Sequence, residues 1–346
     1  MTLHHSSHHL TRRGMMLGTI TPSPPPKTPQ SSDILHAWKE DRSIVFPSIV
    51  ADNLETYAAH IQASHQLMEK ILNGNEFIET IEQSHLIDNL NPEFALLASS
   101  LEEHDEQAIE KLYFDVEEHG EVIGEDLWCK ASWLSFHDDD ASLRFRFSFG
   151  MEGFEDVAAD PMRQHWAGEL CTRLFPESEI ITKNTIILNT LELILGHTPA
   201  FVERIVYFNA PNGGAQFHHD VERGHAGVVF AQLSGATYWL SASKPRLMQA
   251  MRDFAHLHTL DAALEALLHD ERALSDYMEE QDHARVEALI DHNPDFIRYM
   301  IEQGFSHTLH AGDVLFLPQR DLDHCVWHSV FCLGEDPGEA LSFAVR

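Results

Sequence analysis

The segments with strand-like alternation fall into two blocks separated by a long helical one, and this interruption constrains the fold more than any other feature. Short runs rich in β-branched and aromatic residues occupy 202–209, 216–221, 227–233 and 237–241, punctuated by Pro211-Asn212-Gly213-Gly214 and by Gly235. Residues 245–304 then change to a helical period, and strands resume at 313–318, 325–332 and 340–346. The helical block repeats itself: Glu265-Ala266-Leu267-Leu268 with Tyr277-Met278 recurs as Glu287-Ala288-Leu289-Ile290 with Tyr299-Met300, offset by 22 residues. One duplication is too little for a solenoid. The pattern predicts an α+β chain whose β-domain carries a helical insertion at 245–304 covering its mouth.

The remainder divides into a leader and a helical region. Residues 1–32 are Ser- and His-rich, then Pro-rich through Pro22, Pro24, Pro25, Pro26 and Pro29, which predicts disorder. Residues 33–127 read as helical. Leu54, Tyr57, Ile61, Met68 and Leu72 recur at three- and four-residue steps, with Asp52 as N-cap and Gly74 as stop. Further helices are expected at 76–86 and 92–118, and the acidic run 102–126 reads as a solvated helix face. The β-domain is expected from 128 to 346. It opens with the alternating Phe145, Phe147 and Phe149 and contains helices at 162–174 and 181–196.

Composition excludes some functions. With 346 residues, 43% of them hydrophobic, the chain is long enough to bury a core. No apolar run is long enough for a membrane helix. The 55 acids against 23 bases leave a net charge of −32, which argues against nucleic acid and is compatible with a basic partner. Cys129, Cys171, Cys325 and Cys332 form no CxxC pair, a usage that suits a reducing cytoplasm.

The chemistry concentrates at Gln216-Phe217-His218-His219-Asp220. On a strand, His218 and Asp220 face one way and His219 the other. An imidazole and a carboxylate joined by a distant imidazole make a 2-His-1-carboxylate triad, which suits Fe(II) with positions left open. The pair alone says little. The chain has five His-x-Asp/Glu matches, His104/Glu106, His119/Glu121, His137/Asp139, His218/Asp220 and His269/Glu271, where chance gives roughly four. His104, His119 and His269 fall in stretches read as helical, where i and i+2 do not share a face. His137 reads as part of a polar turn. His218 instead follows a Gly-Gly turn. After it come a strand ending Gln232-Leu233-Ser234-Gly235, then Gly312-Asp313-Val314-Leu315-Phe316-Leu317-Pro318, then Trp327-His328-Ser329-Val330.

In that order these motifs resemble the JmjC/cupin-like branch of the Fe(II)- and 2-oxoglutarate-dependent oxygenases, over roughly 200–244 and 309–346. The closing run 340–346 is similar to the last core strand of the bacterial ribosomal-protein hydroxylases of that branch. The resemblance implies a double-stranded β-helix (jelly-roll, cupin-like) core, with Fe(II) held by His218, Asp220 and His328. His324 is the rival for the third place. It also implies 2-oxoglutarate as co-substrate and hydroxylation of a C–H bond in a protein side chain, peptide or small molecule, a basic target suiting the acidic surface. The family places a Lys or Arg two residues after the glycine of the Gln232–Gly235 motif. Here that residue is Thr237, which offers a hydrogen bond but no charge. Arg346 is then expected to pair the distal carboxylate, with Lys244 and Arg204 as alternatives and Tyr207, Asn209, Gln232 and Thr237 lining the pocket. Two other readings stay open: a metal-binding cupin enzyme that does not use 2-oxoglutarate, and a degenerate barrel acting as a binding module.

Overall fold

Strands form where apolar residues alternate, and each alternation is explained by what its two faces meet. The computed structural model describes residues 8–12, 15–20, 27–83, 86–90, 93–100, 108–134, 144–151, 160–209, 213–222, 224–333 and 337–346. The strands are β1 (His8–Arg12), β2 (Met15–Ile20), β3 (Ile44–Phe46), β4 (Phe94–Ser100), β5 (Ala108–Glu118), β6 (Glu121–Leu134), β7 (Arg144–Met151) and β8 (Phe201–Asn209). They continue as β9 (Gly214–His218), β10 (Gly227–Gln232), β11 (Ala236–Ser243), β12 (Ser306–His310), β13 (Val314–Pro318), β14 (Val326–Leu333) and β15 (Gly338–Val345). Apart from the β1–β2 hairpin they make two antiparallel sheets. One has nine strands in the order β3-β13-β10-β15-β8-β7-β6-β5-β4, and the other has four in the order β12-β11-β14-β9.

Among the described residues seven α-helices precede β8: α1 (Ser31–Lys39), α2 (Ala51–Leu72), α3 (Phe77–Glu82), α4 (Leu86–Asn89), α5 (Pro161–Leu174), α6 (Glu179–Thr182) and α7 (Thr185–Leu195). Helix α5 starts where Pro161 sets the first helical φ and Asp160 accepts the N–H groups of Met162 and Arg163. Asn184 does the same for α7 by accepting from Ile186 and Ile187. Five helices lie between β11 and β12: α8 (Lys244–Ala255), α9 (Ala262–Leu268), α10 (Glu271–Met278), α11 (Ala284–Ile290) and α12 (Pro294–Glu302). No helix among the described residues is long and apolar enough to cross a membrane.

Three apolar layers hold these parts together. The back of the nine-stranded sheet, including Phe114, Cys129, Phe147, Val206 and Phe343, packs against Leu67, Phe77, Leu170 and Leu191 of the first helices. Val228, Phe230, Trp239, Leu309, Leu315, Val326, Val330 and Ala344 fill the space between the two sheets. The outer face of the four-stranded sheet, with Phe217, Tyr238, Leu240, Trp327 and Phe331, packs against Leu247, Phe254, Leu289 and Phe296 of α8–α12. The insertion therefore backs the small sheet rather than covering the mouth of the β-domain. Its apolar faces can be buried only where the sheet is apolar on its outside.

Other expectations are also corrected. The helix expected at 92–118 is instead β4 and β5, and the boundary expected at 127/128 falls inside β6. The reason is a period of two: Leu112, Phe114 and Val116 are buried, while Lys111, Tyr113 and Asp115 lie on the other side. His119 and Gly120, with φ of 54° and 84°, link Glu118 to its partner Glu121 as a two-residue hairpin turn, so His119 lies outside any helix. Residues 102–107 and the pairs His104/Glu106 and His137/Asp139 lie outside the described residues. The run read as a disordered leader contains the paired strands β1 and β2. The N-cap of α2 is Val50, and Asp52 sits in its first turn.

Candidate metal centre

The site is built where β9 meets β14. His218 is the cross-strand partner of His328, and two residues further along β14, Val330 pairs with Ala215, three residues back on β9. The extra residue is a β-bulge, a device that re-aims side chains beside functional sites. Ala215 faces the layer between the sheets and Phe217 faces the insertion. The bulge lets His218 return to the inner side with His328, which follows Val326 and precedes Val330 in that layer. Gly214 is required by close approach, because a Cβ there would overlap the Val330 carbonyl oxygen. Gly214→Ala is expected to cost about 1–3 kcal/mol through overpacking, read as a lower urea midpoint at unchanged slope.

His218, Asp220 and His328 bring their ligand atoms within 4.8 Å of one another. His218 Nε2 lies 3.5 Å from Asp220 Oδ1, and His328 Nε2 lies 3.4 Å from Asp220 Oδ2. The two imidazole centroids are 4.3 Å apart. Each imidazole turns Nδ1 to a carbonyl of its own strand, His218 to Gln216 O at 2.7 Å and His328 to Val326 O at 3.3 Å. A proton on Nδ1 leaves the Nε2 lone pair directed at the centre, the arrangement that metal-binding histidines use. Two donors about 2.1 Å from one ion at right angles lie about 3 Å apart, so the observed spacings fit a shared divalent ion with an open face. His328 is 3% exposed, and Trp239 stacks on it with centroids 5.4 Å apart. His324 stands in an exposed loop with Nδ1 on the Asp321 carboxylate at 2.9 Å, outside the cluster.

The middle residue of the motif faces outward, as alternation predicts, and is held there. His219 Nε2 lies 2.9 Å from Glu279 Oε2, and Lys244 Nζ donates to Glu279 Oε1 at 2.7 Å. Burial would raise the Glu279 carboxyl, but these two partners hold it below the usual range. Nearby, the Phe217 N–H donates to Asp291 Oδ1 at 3.0 Å and Gln216 Nε2 to Glu287 Oε1 at 2.6 Å. The insertion thus braces β9, the edge strand of the small sheet, from outside.

Several of the residues expected around 2-oxoglutarate are engaged with one another or with other parts of the chain. Thr237 is fully buried. Its hydroxyl donates to Gln232 Oε1 at 2.8 Å and accepts the Trp239 indole N–H at 2.9 Å. Gln232 Nε2 is spent on the carbonyls of Ser234 and Glu339. Arg204 donates to Gly168 O and Thr172 Oγ1 on the back of the sheet, and Lys244 is committed to Glu279. Arg346 ends the chain beyond β15, its backbone paired in both directions with Ala200. Tyr207 and Asn209 lie at the end of β8, 9% and 1% exposed. Of the positions expected to supply a cation, Arg204 and Lys244 are therefore committed to internal partners. Acidic groups gather near Asp220: burial first, then Glu222 and Asp220, push the Glu203 carboxyl up to about 7. Glu203, Glu222 and His225 form a second close set of donors. Sequence reasoning missed these, and it also missed Arg146, which interacts electrostatically with Glu203 and pairs across β7–β8 with Tyr207.

No protein-family model and no curated protein matches the sequence. Among solved structures the chain is similar to two structures of YcfD, a ribosomal oxygenase from Escherichia coli, at 11% identity over 70% of this chain. It spans 40% and 41% of those chains, with TM-scores of 0.26 and 0.28. It is also similar to an oxidoreductase of the 2OG-Fe(II) oxygenase family from Burkholderia pseudomallei, at 8% identity over 92% of each chain, with a TM-score of 0.34.

Proposed function

We propose that the chain is an Fe(II)-dependent oxygenase of the 2-oxoglutarate class, hydroxylating a C–H bond, with His218, Asp220 and His328 as iron ligands in a double-stranded β-helix formed by the two facing sheets. One observation carries this reading: three ligand atoms, from β9, from the residues just after it and from β14, converge within 4.8 Å. Both imidazoles are also oriented by their own strands. When bound there, iron supplies activation of dioxygen at its open positions. The chain's own contribution is geometric and electrostatic. Asp220 bridges the two imidazoles and supplies negative charge. Trp239 and Val330 keep the inner side of His328 dry. The His219–Glu279–Lys244 chain fixes the turn from which Asp220 projects.

A second reading has its own support. Thr237, Gln232 and Trp239 form a closed hydrogen-bonded set where a carboxylate anchor is expected, which favours a metal-dependent cupin enzyme that does not consume 2-oxoglutarate. The deciding assay follows succinate release from 2-oxoglutarate by protein loaded anaerobically with Fe(II) and then exposed to air. Release above the level of Asp220→Ala is expected. Firm metal binding without any succinate would select the second reading.

A further inference from the structure

Three buried polar side chains between the two sheets form a chain of hydrogen bonds that ends against a candidate metal ligand. Gln232 and Thr237 are fully buried, and Trp239 is 3% exposed. Thr237, Trp239 and Ser241 share one face of β11 by alternation, and Ser241 is the cross-strand partner of His328. Chemistry fixes the direction of each hydrogen bond. An indole N–H can only donate, so Trp239 Nε1 donates to Thr237 Oγ1 at 2.9 Å. The Thr237 hydroxyl then sends its one proton to Gln232 Oε1 at 2.8 Å. Gln232 Nε2 donates in turn to the carbonyls of Ser234 at 2.7 Å and Glu339 at 3.3 Å. The indole is therefore tied at its N–H. Phe230 of the facing sheet meets it edge-on, with centroids 4.7 Å apart at 70°. The indole stacks on the His328 imidazole, with 5.4 Å between centroids at 29°.

We propose that Thr237 and Gln232 are positioning residues for the third ligand, acting through the Trp239 ring to hold the His328 imidazole at the angle a metal needs. This rests on the reading of His218, Asp220 and His328 as a metal centre. The Nδ1 contact of His328 with its own strand is the longer of the two, 3.3 Å to Val326 O against 2.7 Å from His218 to Gln216 O. A turn of the ring would swing Nε2 away from its 3.4 Å approach to Asp220 Oδ2, and the stacked indole opposes that turn. A valine at 237 would fill nearly the same volume, so packing alone does not account for a hydroxyl in this dry layer. A buried polar set whose members are all satisfied specifies a single arrangement. The position where the resemblance expects a cation for a co-substrate serves the metal ligand instead.

The first readout is nuclear magnetic resonance of the full, metal-free chain with isotope-labelled histidine. The His328 ring-proton signals, assigned by their loss in His328→Gln, are expected upfield of ordinary histidine positions because of the indole ring current. Thr237→Val, of similar shape without the hydroxyl, is expected to return them toward those positions, and Thr237→Ser, which keeps the hydroxyl, to leave them in place. The second readout is Co(II), whose affinity and visible absorption bands report the ligand geometry. Thr237→Val is expected to weaken Co(II) binding by about tenfold and to shift the bands, with Thr237→Ser close to wild type. Trp239→Phe, with a ring but no N–H, is expected to lose the same alignment and replaces Thr237→Val if that variant does not fold. If wild type binds no Co(II) while the imidazole signals respond as expected, the metal reading fails and the positioning of His328 stands. A lower melting temperature in Thr237→Val with unmoved His328 signals and unchanged Co(II) bands would make the hydroxyl merely structural and overturn the proposal.

Discussion

Asp220→Ala is expected to weaken Mn(II) or Fe(II) binding by well over about a hundredfold, because losing even an outer partner of a metal ligand costs 10–100-fold. The carboxylate lies within 3.5 Å of both imidazole Nε2 atoms, one oxygen to each. Without it two neutral imidazoles remain, and the local charge that attracts a divalent cation falls by one. His328→Ala is expected to do the same, since it removes one of the three converging donors and leaves one imidazole and one carboxylate. His324→Ala is the control and leaves binding unchanged, its imidazole being occupied by Asp321. Anaerobic titration calorimetry reads all three. Equal affinity in wild type and Asp220→Ala would place the metal elsewhere.

Glu177→Gln is expected to stabilise the protein by about 3 kcal/mol near pH 8 and to do little near pH 4.5. Glu177 and Glu339 are both fully buried beneath α2, on the back of the large sheet and away from the triad. Ser64 donates to Glu177, and His65 Nε2 approaches Glu339 Oε2 at 3.3 Å. Burial pushes Glu177 up to about 7 from 4.5, against the pull of its hydrogen bonds. Burial and the neighbouring Glu177 charge raise Glu339 well above the usual carboxylate range. His65, lowered by burial, stays neutral and adds no charge to offset them. A carboxyl with a raised native pKa keeps a proton that the unfolded chain releases, so stability falls as pH rises from about 4.5 through 7. Gln keeps the acceptor for Ser64 and removes the ionisation. Urea unfolding of wild type and variant between about pH 5 and pH 8 tests this, and parallel pH profiles would refute it.

Much of the fold was legible because periodicity is local. The strands from 201 to 243 and from 314 to 345 lie within a few residues of the alternating runs, and the helices between them follow the 3.6 period. The stretch 92–118 reads as helical although the alternation from residue 108 onward is just as strict. Its many acids resemble a solvated helix face, and only the partner strands show that Leu112, Phe114 and Val116 share one core. The convergence of His218 and Asp220 with His328 was legible from motif order. The preference over His324 became firm only when His324 was seen bound to Asp321.

Residue type and spacing along the chain determine its strands and its helical insertion, and the order of its motifs singles out His218, Asp220 and His328 as candidate ligands, because each depends on neighbours a few positions away or on a short ordered motif. Tertiary structure decided what those residues meet. It set the bulge that returns His218 to the inner face, the outer side on which the insertion packs, and the commitment of Thr237 and Lys244 to internal partners. Each of these depends on register between segments distant in sequence. A shift of one residue would turn every side chain of a strand to its other face without altering the pattern along the chain.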